Sequence, residues 1–301
     1  MPGNNAPDTS PVLNTRAMIF MTAAMAAFAV TDALIKHAAE AIGTMQCLML
    51  VSVISMAVFL VVLRRNGERF WTADALGRPM LIRTAGEVVG SAGFVGGLAL
   101  VPLSTVTALA QAQPLVLTAA AAIFLKERVG WRRWAAVVAG FIGMMIILRP
   151  GREAFDPALL LPIAGIFGLT ARDLGTRLLP PSVSTAFAAA WALFVLTLVG
   201  AVGMMVAGGY RPMTPTLWAV VSAAAVTVSV AFVFITLALR KGEVSAIAPF
   251  RYTRILFAMS IAWVAFGERP DAAVWIGLSV ILASGLYAFW RERRTGTAPA
   301  T

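Results

Sequence analysis

Residues 244–269 read VSAIAPFRYTRILFAMSIAWVAFGER, an apolar run of helix length that carries Arg251 and Arg254 and stops at Gly267, Glu268 and Arg269. A guanidinium stays charged at physiological pH and is costly in hydrocarbon, so within a spanning helix it faces a cavity or a buried partner. Arg251 and Arg254 stand three apart, on one helical face, with Tyr252 beside them. Two such forks suit a carboxylate or a phosphate. The stretch also has an echo, since an earlier apolar run closes on Lys126, Glu127 and Arg128.

Working outward, 301 residues that are 59% hydrophobic and only 13% charged do not describe a soluble domain with one core. The mean hydropathy of +0.84 points the same way, to a polytopic membrane protein. A net charge of +10 raises the question of nucleic acid, but the basic residues sit in short gaps between apolar runs, so no nucleic-acid partner is expected. Cys47 and His37 are each the single residue of their kind, which leaves no disulfide, no cysteine-based metal site and no cofactor to expect. Residues 1–15 are polar and lack a basic n-region, and read as a short disordered tail.

A span needs about 20 mostly apolar residues. Breaking the chain at charge clusters and Pro/Gly turns yields ten: 16–37, 42–63, 80–100, 103–125, 131–148, 157–178, 182–207, 215–239, 244–266 and 271–290. With the amino terminus in the cytoplasm, fifteen Lys and Arg outside the spans fall on the cytoplasmic face and five on the other: Lys36, Arg149, Arg152, Arg211 and Arg269. That bias predicts both termini cytoplasmic.

The echo is systematic. A shift of 141 positions (268 − 127) brings Glu127 onto Glu268, Asp32 onto Asp173 and Lys36 onto Arg177. The expected domains are residues 16–149 and 157–290, five helices each, followed by a basic tail over 291–301. An odd number of helices per copy forces the second copy into the membrane upside down. The fold class is therefore all-α integral membrane, ten helices as two inverted repeats around a central cavity.

Pro249-Phe250-Arg251-Tyr252-Thr253-Arg254, the Gly267-Glu268-Arg269 stop, Ala99-Leu100 followed by Pro114, and Lys126-Glu127-Arg128 together resemble the drug/metabolite transporter superfamily. The resemblance is to its ten-helix proteins with two EamA-type domains, and it covers both halves. It implies a cavity lined by the first, third, fourth, sixth, eighth and ninth helices. It implies movement of a small molecule, such as an amino acid, nucleoside, vitamin, cationic drug, carboxylate or S-adenosylmethionine, in either direction. The second copy lacks a counterpart of Pro114 near Ile255, so the two halves are expected to break their helices differently.

Further candidates follow from charge within the spans. Arg83 and Glu87 are i, i+4 in the third helix and neutralise each other, or Glu87 binds a cation or carries a proton. Gly90, Gly93, Gly96 and Gly97 beyond them permit close helix approach or a hinge. Asp32 with Lys36, and Asp173 with Arg177, are repeated i, i+4 pairs and read as structural or gating elements. Arg172, opposite Thr31 in the repeat, is a cavity candidate. Glu127 and Glu268 read as ties between a loop and a neighbouring helix. Gln111, Gln113 and Pro114 interrupt the fourth helix with amides and a freed carbonyl, which suits a polar ligand. Trp191 is placed to stack on one. Arg251 and Arg254 align with Ala110 and Gln113, so the site is asymmetric.

The expectation is a secondary transporter of the bacterial inner membrane, working by alternating access as monomer or homodimer, with a coupling proton or counter-substrate as possible partner. Arginines outnumber acids in the expected cavity, which favours a carboxylate-bearing metabolite, a zwitterion or an organic anion. The alternative is a cationic or nucleoside-like metabolite (a drug, S-adenosylmethionine or a vitamin) with Glu87 as the cation or proton site. A membrane-embedded enzyme lacks the clustered nucleophile, acid pair or metal ligands it requires, and a channel lacks a filter motif.

Overall fold

A computed structural model describes residues 11–127, 129–149, 156–241 and 248–295. Arg128, Arg152, the start of the ninth span at Val244 and the chain after residue 295 lie outside them. The described elements are α1 (Pro11–Ile42), α2 (Thr44–Arg65), α3 (Arg78–Leu100), α4 (Leu103–Ala110), α5 (Gln113–Phe124), α6 (Trp131–Leu148), α7 (Leu160–Arg177), α8 (Thr185–Val206), α9 (Pro215–Lys241), α10 (Arg254–Phe266) and α11 (Ala272–Thr295). Short 3-10 turns cover Ala73–Leu76, Pro157–Leu159 and Ala248–Thr253. α4 with α5, and the turn at Ala248–Thr253 with α10, are each one span bent in the middle, which gives ten. The helix of span one begins at Pro11, inside the stretch expected as tail.

Eight of these spans are long and apolar enough to cross a bilayer unaided. The other two are α3, which carries Arg83 and Glu87, and the bent span that carries Arg251 and Arg254. Both carry charged side chains, and Glu87, Arg251 and Arg254 among them line the interior cavity.

The most extensive helix pairings are α3 with α7, α1 with α9, α2 with α8, and α6 with α11. Exchanging the halves turns the first pairing into the second and each of the last two into itself. That is the contact pattern an inverted two-fold repeat requires. The α3–α7 seam is tight because it is built of glycine: a methyl on Gly168 would lie 2.3 Å from the Gly90 backbone nitrogen. Backbones at that distance exclude any side chain.

The two bent spans break at corresponding positions but differ in form, as expected from the lack of a counterpart to Pro114: Leu103–Ala110 is an α-helix, whereas Ala248–Thr253 is a 3-10 turn. α4 yields to α5 at Gln111 and Ala112, and 141 positions later the turn yields to α10 at Tyr252 and Thr253. The break is shared although proline stands at only one of the two places. In the first half Pro114 enters the first turn of α5, where its missing N–H is no loss. In the second half Pro249 lies within the 3-10 turn itself.

Candidate functional site

The four crossing spans α1, α3, α4–α5 and α7 meet the bent span of Arg251 around a cavity of about 300 Å³. It also draws on α2, α8 and α9, and most of its wall is apolar. Arg251, Arg254, Tyr252, Glu87, Gln111, Gln113 and Arg172 line it. Asp32, expected only as a structural residue, lines it as well. Arg83 and Trp191 do not. Arg83 is buried and donates from Nη1 to the Ala188 carbonyl at 2.7 Å, and Trp191 packs against Phe70, Trp71 and Phe194 in an aromatic cluster.

The ion pairs also differ from the i, i+4 scheme. Asp32 accepts from Arg254 Nη2 at 2.6 Å and Nε at 3.2 Å, so the cavity-lining arginine of α10 ties itself to α1. Lys36 reaches instead to Glu40 at 2.8 Å and to the Leu98 and Val101 carbonyls at 3.2 Å each. Its ammonium meets the unsatisfied carbonyls at the C-terminal end of α3, which a point charge on a long stem reaches easily. Asp173 accepts from Arg172 Nε at 2.9 Å and from Gln113 Nε2 at 3.1 Å, and Arg177 pairs with Glu127 at 3.2 Å. Glu87 pairs with Arg172 at 3.4 Å in place of Arg83. For Asp32, Glu87 and Arg177 the partner comes from another helix or loop and not from the neighbour one turn away, whereas Lys36 keeps an i, i+4 partner in Glu40.

The Asp32–Arg254 contact becomes, under the 141-residue shift, the Asp173–Gln113 contact. Arg254 is thus the charged version of a repeated structural link. Phe28 and Phe94 cover its guanidinium at 5.4 and 5.6 Å from their ring centroids.

Arg251 is different. It makes no hydrogen bond or ion pair among the described residues, its side chain is exposed to the cavity, and its repeat position is Ala110. Its charged neighbours are Asp173, Arg172 and Arg254 at longer range. Among the described residues, the cavity therefore offers one unengaged cation, aromatic faces at Phe28, Phe94 and Tyr252, and the amides of Gln111 and Gln113. Its acids are already spent on arginine. No group of three metal-ligating side chains occurs among the described residues.

Glu268 forms a contact the repeat did not foretell in detail. Its carboxylate accepts from the Leu103 amide at 2.7 Å, the Ser104 amide at 2.9 Å and the Ser104 hydroxyl at 2.7 Å, capping α4 from the other half of the chain. Sequence spacing gives no hint of Gln46 either, which exchanges two hydrogen bonds with the backbone of Arg211 at 2.9 and 2.8 Å.

Two inverted five-helix halves closing on a mostly apolar, polar-tipped cavity define a membrane transporter for small metabolites. The chain belongs to the EamA-like transporter family, whose pattern matches residues 15–149 and 158–290. It is 32% identical over 220 residues to a riboflavin transporter of Rhizobium johnstonii, spanning 73% of this chain and 72% of that one. It is 26% identical over 207 residues to an S-adenosylmethionine uptake transporter of Rickettsia bellii, spanning 68% and 70%. A protein of known crystal structure, 18% identical, superposes with a TM-score of 0.62 over 94% of this chain and 99% of its own, and shares the fold. The family is one of transporters and not of enzymes.

Proposed function

We propose that the chain is a secondary transporter of the inner membrane that carries a neutral, polyhydroxylated heteroaromatic metabolite of the riboflavin type. The observation that carries this is the state of the cavity's charges: Asp32 is engaged by Arg254 and Glu87 by Arg172, while among the described residues Arg251 alone is open. A cationic metabolite would find no unengaged carboxylate and one repelling guanidinium. A planar ring with carbonyl acceptors finds aromatic faces, two amides and a donor fork. The volume, about 300 Å³, is at the scale of single-metabolite sites. The carboxylate ligand favoured by counting arginines loses its basis, because three of the four arginines counted are paired to acids or lie outside the cavity.

The relatives named for riboflavin support this reading, and those named for S-adenosylmethionine supply its rival. Flavin fluorescence separates them. Purified protein is expected to quench riboflavin saturably, with S-adenosylmethionine a poor competitor. Displacement by S-adenosylmethionine with no flavin quenching would reverse the assignment.

A further inference from the structure

Behind the central cavity lies a second one of about 130 Å³ between α5, α6 and α11. Pro114, Arg251 and Tyr252 line both, so they form the partition between them. Tyr252 belongs to the 3-10 turn of the ninth span, which packs against α1 and against α11. Its ring reaches α11 at Gly285. A methyl on Gly285 would lie 2.1 Å from the Tyr252 hydroxyl oxygen, 2.9 Å from Cζ and 3.5 Å from Cε1.

Gly143 and Gly277, on the seam between α6 and α11, have a different reason to be glycine. A methyl on either would lie 2.8 or 2.5 Å from the other's carbonyl oxygen, so they let the two helices approach. The three nearest atoms that face Gly285 from elsewhere in the chain all belong to Tyr252. Glycine stands there for the ring and not for a helix. The repeat has no such notch, because 141 positions earlier Gly285 becomes Met144 and Tyr252 becomes Gln111. Tyr252 adjoins Arg251 in sequence and Gly285 shares the second cavity with it, so these departures from symmetry fall where Arg251 departs as well.

We propose that Gly285 is a specificity-determining position: its notch holds the Tyr252 ring back against α11 and so sets the length of the central site. Resting on the flavin reading above, that length admits a fused ring together with its polyhydroxylated chain. A side chain at position 285 drives the Tyr252 ring toward the central cavity, because α11 is fixed by its extensive pairing with α6 and the ring is the freer of the two. The shortened site still takes the bare ring system but not the ring with its chain. Without the Tyr252 ring, the same side chain has nothing to displace.

The test uses the full-length protein and compares riboflavin with lumiflavin, which carries a methyl in place of the ribityl chain, by flavin quenching. Gly285→Ala is expected to weaken riboflavin at least tenfold and lumiflavin by no more than a few-fold. In a Tyr252→Ala background, Gly285→Ala is expected to change neither affinity. That rescue separates a displaced ring from a misfolded helix, which the second substitution would not repair. An unchanged ratio of the two affinities in Gly285→Ala, or a loss that persists in the double variant, overturns the proposal. A wild type that binds neither flavin faults the transport assignment, and the same comparison is then read with S-adenosylmethionine and adenosine by thermal shift, where equal losses overturn the notch. Binding of none of the four overturns both.

Discussion

Arg251 and Arg254 are three residues apart and do opposite things. Arg254 is held by Asp32 and roofed by two phenyl rings, which makes it part of the scaffold. Removing one member of such a largely buried pair leaves the other uncompensated, at a cost of about 3 kcal/mol. Arg254→Gln and Asp32→Asn are therefore each expected to lower Tm, and the double variant to cost less than their sum. Additive losses would show that the two side chains do not depend on each other. Arg254→Gln also copies Gln113, the residue the first half uses at the same place, so it is expected to be the mildest replacement there. The sequence identified both arginines as misplaced charges and placed both on the ligand. Which of them had a partner was not legible, because the partner stands 222 positions away and carries no local signature. The same blindness produced the i, i+4 pairs: on a helix those neighbours are always within reach, and only the packed fold reveals a better one.

At the level of helices, what holds the ends in place is carboxylate capping across the chain. Glu268→Gln retains one acceptor for the three donors of Leu103 and Ser104, and is expected to cost about 1–2 kcal/mol by thermal unfolding. A loss equal to that of an exposed surface change would refute the cap. Asp271 offers a second case at an end outside the membrane. It accepts from the Val274 amide at 2.9 Å and pairs with Arg149, and these contacts hold its carboxyl below the usual carboxylate range. A lowered pKa contributes stability that is present above the unfolded value and disappears as pH falls through the folded one. The Tm of the wild type should thus fall more steeply on acidification below the usual carboxylate range than that of Asp271→Ala, and the two curves should converge in strong acid. Parallel curves would mean that the cap is not formed. Span positions were legible to within a few residues from apolar runs and their breaks. The 3-10 turn of the ninth span was not, because no proline stands at the break at Tyr252 and Thr253 and Pro249 lies earlier in the turn.

For the whole molecule, the repeat was readable from three charged matches, and the fold returns it as pairings that map onto one another. On the proposed reading its function depends on the exception to symmetry, Arg251. A pair of halves that rocks about a shared cavity must separate contacts such as the Glu268 cap on Ser104. A Ser104→Cys/Glu268→Cys double variant is therefore expected to lose transport on oxidation and regain it with reductant, and the single variants to be insensitive. Native Cys47, buried but lining the cavity, is replaced by serine in all three variants. The account stands most directly on one measurement: riboflavin uptake into proteoliposomes by the wild type and by Arg251→Gln. Flux through the wild type, reduced at least tenfold in an Arg251→Gln protein that inserts and unfolds normally, is the predicted result. Absence of riboflavin flux through the wild type, or full flux through Arg251→Gln, would contradict it.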